Sequence, residues 1–181
     1  YPYQVFHSSH RRGLGDKSRR EGWDGDGSHW RVGDQGNSKN YPNGTVWMGI
    51  ASDEDFNISK VKVNGFVYPS KAKFVIQKLV TGKPPKDAEL NDSMVEDSGT
   101  WEDLKEFNFK NNKVVQPDWS SDIMLSSWRI VNKTPLRWRP AISLTFYDEN
   151  NKEINPLQYP YQVFHSSHRR GLGDKSRREG W

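Results

Sequence analysis

Tryptophan is the residue type that points most directly to chemistry in this chain. Trp23, Trp30, Trp101 and Trp119 sit among Gly, Asp and Ser, in contexts that read as loops. Indole rings presented beside carboxylates, amides and guanidinium groups can stack on sugar rings while the polar groups bind hydroxyls. With Arg19, Asp24 and Asp26 they form the expected ligand-binding set, and glycan is the ligand class they suit. The competing structural role is to cover the ends of the fold. Trp47, Trp128 and Trp138 lie in alternating apolar runs and are expected in the core.

Other constellations are weaker. His7-Ser8-Ser9-His10 places two imidazoles three residues apart. On a helix they would share a face and could ligate a metal. After the extended run Tyr1 to Phe6 they are expected on opposite sides, in a polar surface loop. Asp16 is the nearest acidic residue, and no carboxylate stands at ligand spacing. Arg11-Arg12 and Arg19-Arg20 flank Gly13-Leu14-Gly15 and could clamp an anion, but two charges per cluster read first as a solvated loop. Asp24-Gly25-Asp26-Gly27-Ser28 alternates oxygen ligands, yet His29 and Gln35 stand where an EF-hand needs Gly and Glu. A turn is the default, with a calcium loop through Asp24, Asp26 and Asp34 as the alternative. No nucleophile–base motif is visible, so no catalytic residue, metal or cofactor is assigned. A hydrolase built on loop carboxylates or on His7 and His10 is the minority reading.

The organisation of the chain is more informative than any motif. Residues 1–23 and 159–181 are identical, YPYQVFHSSHRRGLGDKSRREGW, at an offset of 158. The expected organisation is one repeat unit over 24–181, preceded by a duplicate segment over 1–23. One copy is expected to fill a strand position within its own unit, and the other to be displaced or donated to a neighbour. The duplication also inflates the charge. The chain carries 27 Lys+Arg and 23 Asp+Glu, a net of +4, and each copy of the 23-mer holds five basic and two acidic residues. A single unit is therefore close to neutral, which argues against nucleic acid or anionic lipid as a partner.

Hydrophobic residues make up 33% of the chain and aromatics 13%, enough for a core built from few, large side chains. There is no cysteine, so neither disulfides nor thiolate sites hold the fold. No apolar run reaches the ~20 residues of a membrane span. Asn43, Asn57, Asn91 and Asn132 begin Asn-X-Ser/Thr triplets, which permit glycosylation in a eukaryotic secretory route.

The elements that must position these residues read as short strands. Gly13 to Tyr41 has loop composition. Strands are expected over Thr45–Ile50, over Lys60–Val63 with an Asn64-Gly65 hairpin into Phe66–Tyr68, over Ala72–Val80, Ile123–Val131 and Leu136–Tyr147, and over Tyr159–Phe164. Asp148–Asn151 is a turn into a return strand from Lys152. Thr100 and Asp103 suggest a capped helical turn over Trp101–Phe107, with a strand through Phe107 and Phe109 as the competing reading. The pattern indicates an all-β antiparallel β-sandwich or jelly roll with long polar loops and at most a short helix. The function it suggests is a non-enzymatic structural or adhesive repeat module, extracellular or surface-exposed, whose partners are neighbouring copies of the same unit and glycan. An assembly subunit joined by strand exchange is the alternative.

Overall fold

A computed structural model describes residues 4–11, 15–23, 29–33, 40–88, 95–120, 125–138 and 140–157. The strands are β1 Gln4–His7, β2 Trp30–Arg31, β3 Asn40–Tyr41, β4 Trp47–Phe56, β5 Lys60–Phe66, β6 Lys73–Thr81, β7 Thr100–Asn108, β8 Leu125–Asn132, β9 Leu136–Arg137, β10 Ala141–Tyr147 and β11 Glu153–Ile154; one helix, α1, spans Gly15–Glu21. Five strands form one antiparallel sheet in the order β1-β4-β8-β6-β7. In the second sheet β10 is central: β5 pairs along one edge, while β2 and β11 share the other. β3 and β9 make a separate two-stranded ribbon. The fold is a β-sandwich, as the alternating runs imply.

Alternation explains the layers. Val5, Met48, Ile50, Phe74, Ile76, Trp128 and Ile130 project from the first sheet into the main core, where they meet Val61, Val63, Ile142, Leu144 and Phe146 from the second. The intervening residues Phe6, Trp47, Ala51, Val75 and Val131 form a second apolar cluster on the outer face of the five-stranded sheet. Val95 and Trp101 pack over it. Arg129 projects into the same layer, with its Nη1 2.7 Å from Asp97 Oδ2 and its guanidinium 4.1 Å from the Trp101 ring centre.

Several local expectations are overturned. No hairpin forms at Asn64-Gly65, because β5 continues through it and pairs with β10 from Lys60↔Tyr147 to Phe66↔Ala141. Gly65 is needed there for close approach. It has φ +149°, and a Cβ would lie 2.1 Å from the Ala141 carbonyl oxygen. Trp101–Phe107 is strand rather than helix: β7 closes the sheet edge against β6, with Lys73–Glu106 at 3.5 Å and Lys78–Glu102 at 3.7 Å across the ladder. Pairing with β6 outweighs the capping-box preference. The Gly13–Tyr41 region is not all loop, since it holds α1, β2 and β3. Leu136–Tyr147 breaks at Trp138, whose φ is +54°.

The first copy of the 23-mer is part of the sandwich. β1 pairs antiparallel with β4 in the register Gln4↔Ala51 to His7↔Met48. The second copy, including the expected Tyr159–Phe164 strand, lies outside the described residues.

Candidate functional site

β1 ends at His7, and the chain bends at Ser8. That bend brings His10 back beside His7, with ring centres 4.8 Å apart. His7, Ser8, Ser9 and His10 are all buried with no exposure, so the expected surface loop is instead a polar hub inside the fold. Its anchor is Asp87, from the segment after β6. Asp87 Oδ1 lies 3.0 Å from the His7 backbone nitrogen, from His7 Nδ1 and from His10 Nε2. Arg19 of α1 donates its Nε–H to Asp87 Oδ2 and its Nη2 to the Ala88 carbonyl. A half-buried carboxylate is tolerable when donors surround it in this way.

The tryptophans complete the hub. Trp23 Nε1 donates to His7 Nε2 at 3.2 Å, and Trp30 Nε1 donates to the Ser9 carbonyl at 2.9 Å. Trp47 N donates to Ser8 Oγ at 3.2 Å, and Gly33 N donates to Ser9 Oγ at 3.0 Å. An indole can only donate. His7 Nε2 must therefore carry a lone pair, which puts the proton on Nδ1, facing Asp87. The pocket is complementary to a neutral imidazole. Burial lowers the His7 pKa to about 4, with His10 and Arg19 adding to the effect and Asp87 opposing it. Burial would raise the Asp87 carboxyl, but the charges and hydrogen bonds of His7 and His10 override it and hold the group well below the usual carboxylate range.

The same atoms are the cluster best placed to hold a cation among the described residues. One ligand atom from each of His7, His10 and Asp87 lies within 4.8 Å of the others. Coordination through His7 Nδ1 would shift its proton to Nε2, against the Trp23 N–H. Arg19 already compensates the carboxylate. The arrangement is that of a hydrogen-bonded clamp joining β1, α1 and the Asp87 segment.

The expected ligand-binding residues that are described, Trp23, Trp30, Trp101, Trp119 and Arg19, do not converge on one surface. Trp23 and Trp30, 1% and 0% exposed, offer no face to a sugar and serve the hub and core. Arg19 is bound to Asp87 in the same hub. Trp101 is half-buried over the outer cluster, with its Nε1 2.9 Å from Asp97 Oδ2. Trp119 packs against the core, 6.5 Å from the Trp128 ring. Asp24, Asp26 and the calcium-loop reading lie outside the described residues. Of the tryptophans expected in the core, Trp47 and Trp128 are buried, while Trp138 is 57% exposed.

Trp138 marks a second site. Its ring stacks on that of Tyr68, itself 40% exposed, with centres 4.9 Å apart and planes 29° from parallel. Tyr68 borders a groove of about 810 Å³ whose lining includes Asn40, Asn43, Ser70, Leu136 and Arg137. The β3–β9 ribbon supplies part of its wall, and the Arg137 N–H donates to the Tyr68 carbonyl at 2.8 Å, tying the ribbon to the Tyr68 segment. Apolar ring faces thus lie beside amide, hydroxyl and guanidinium groups here, supplied by residues other than those expected from the sequence. Neither Tyr68 nor Asp87 stood out in the sequence.

No family model matches the chain, and no curated protein matches it. Among solved structures it is similar to a Ruminococcus gnavus GH29 fucosidase in complex with fucose, at 16% identity and a TM-score of 0.51 over 88% of this chain. It spans only 27% of that chain. A chitosan-binding module from a Paenibacillus sp. IK-5 chitosanase/glucanase, in complex with chitotriose, aligns over 78% of this chain and 96% of its own, at 14% identity and a TM-score of 0.46. The likeness to the fucosidase chain is one of fold.

Proposed function

We propose that this chain is a non-catalytic glycan-binding module of a repetitive, self-associating protein that works outside the cell. The observation that carries the sugar reading is the exposed Tyr68–Trp138 stack at the rim of a groove bordered by Asn40, Asn43, Ser70 and Arg137. Exposed aromatic area of this kind costs free energy in water unless a ligand covers it. The groove volume falls in the range of small-ligand clefts. The repeat and adhesive part of the reading rests on the identical 23-residue segments, because identical units multiply weak contacts by avidity. Hydrolysis through His7 and His10 is disfavoured, since neither imidazole has exposed surface.

The test is a glycan array followed by calorimetric titration of the best binder, with Trp138→Ala and Tyr68→Ala alongside the parent. Parent binding, with each variant at least ~10-fold weaker (about 1.4 kcal/mol) and unchanged in melting temperature, is the expected result. An array without any bound glycan, or a Trp138→Ala protein that binds as well as the parent, would refute it.

A further inference from the structure

Among the described residues the sandwich shows one berth for the 23-mer, filled by the first copy, and the chain holds two copies of the 23-mer. The berth is specific. Phe6 lies opposite Gly49, where a Cβ would come within 2.5 Å of the Phe6 ring and of the Trp128 carbonyl oxygen. Only glycine at that position admits the ring. Val5 enters the main core, Ser8 exchanges hydrogen bonds with Trp47, His7 and His10 grip Asp87, and Trp23 closes over His7. Each of these side chains recurs in the second copy as Val163, Phe164, His165, Ser166, His168 and Trp181. An identical sequence makes identical contacts, so the free energy of filling the berth does not by itself favour either copy. Loop closure and concentration decide which one is seated.

We infer that residues 159–181 are an interchangeable occupant of the berth filled by residues 4–23, so that one chain can lend its second copy to another chain's β4 edge. This makes the β4 edge and Asp87 a docking surface whose partner is a second copy of this chain. Exchange is of a head-to-tail kind, because copies of the 23-mer outnumber berths two to one and a displaced copy is left over to pass on after any transfer.

The experiment compares full-length Phe6→Ala, Phe164→Ala and the double variant by thermal melting, with size-exclusion chromatography over a range of protein concentrations. The expected result is two single variants melting within a few degrees of the parent and a double variant melting ~10 °C or more lower. Larger species that grow with concentration in Phe6→Ala would show the replacement coming from a neighbouring chain, as inferred. A strictly monomeric Phe6→Ala that keeps the parent melting temperature would overturn the docking of a second chain, since the replacement would then come from the same chain. Phe6→Ala melting as low as the double variant would overturn it, since the second copy would then have failed to replace the first. A double variant as stable as the parent would also overturn it, by showing that seating needs neither ring. Gly49→Val, which blocks the ring of either copy, should reproduce the double variant.

Discussion

Acid should loosen this fold at one identifiable side chain. The His7 site is built for a neutral ring, with an indole N–H on one nitrogen and a carboxylate on the other. Its pKa falls from 6.5 to about 4 because burial penalises the charged form. In the unfolded chain the ring takes a proton near pH 6.5, and in the folded chain it does not until about pH 4. The unfolded state therefore binds more protons across that window, so stability is full above about pH 6.5 and is lost as the pH falls towards 4. Each unit of displacement corresponds to ~1.4 kcal/mol. Between about pH 7.5 and about pH 4.5 the loss comes to about 2.5 kcal/mol. Asp87 adds little in that range, because its stabilisation is lost only as the pH drops below the ordinary carboxylate value of 3.8.

Urea denaturation followed by tryptophan fluorescence at those two pH values measures the effect. With a urea m-value of ~2 kcal/mol/M, the midpoint should fall by about 1.2 M. Replacing both His7→Gln and His165→Gln supplies a neutral side chain whichever copy is seated. That protein should be less stable at neutral pH and should show a much flatter midpoint. If the parent midpoint moves by less than about 0.3 M, or the paired variant is as acid-sensitive as the parent, the tautomer argument is wrong.

Two further outcomes follow from backbone and burial. Gly65→Ala should destabilise the fold by ~2 kcal/mol or more in the same urea assay, because φ +149° and the Ala141 carbonyl at 2.1 Å leave no room for a Cβ. In a eukaryotic secretory host, peptide mass spectrometry should find glycan on exposed Asn43 and none on Asn132 of the folded protein, since Asn132 has no exposed surface and its amide bonds to Val46, Pro42 and Thr134.

The sandwich was legible in the sequence because its evidence is local. A half-buried strand alternates with period two, as β10 does through Ile142, Leu144 and Phe146, and β4 reads as a short apolar run from Trp47 to Ala51. The Asp148–Asn151 turn was equally readable: the Asp148 side chain accepts from Asn150 N and Lys152 N, and the β10–β11 hairpin follows. The expectations that failed were ones where a distant partner decides. Asn64-Gly65 has the composition of a hairpin turn, yet β10 runs alongside it, and the glycine serves a close crossing. Thr100-x-x-Asp103 has the composition of a helix cap, yet the open edge of β6 recruits it as a strand. Local preferences are worth about 1 kcal/mol or less and yield to a full ladder of pairings.

The sites were less legible, because a side chain's role depends on what lies opposite it. Asp87 is 80 residues from His7, in a segment of mostly polar loop composition, and nothing in its neighbourhood distinguishes it from other surface carboxylates. Once it is placed, the His-Ser-Ser-His run changes from an exposed polar loop to a buried clamp, and Trp23 and Trp30 change from sugar platforms to members of the core. Trp138 moved the opposite way. Its flanks, Leu136 and Ile142, belong to alternating apolar runs, so the period predicted an inward ring; the positive φ at Trp138, just before Pro140, breaks the alternation and turns the indole outward onto Tyr68. A tryptophan count thus signals that large apolar surfaces are in use. Whether a given ring stabilises the fold or meets a ligand is set by one or two backbone angles and by donors far away in the chain, so the aromatic platform can be located only after the strands that carry it are paired.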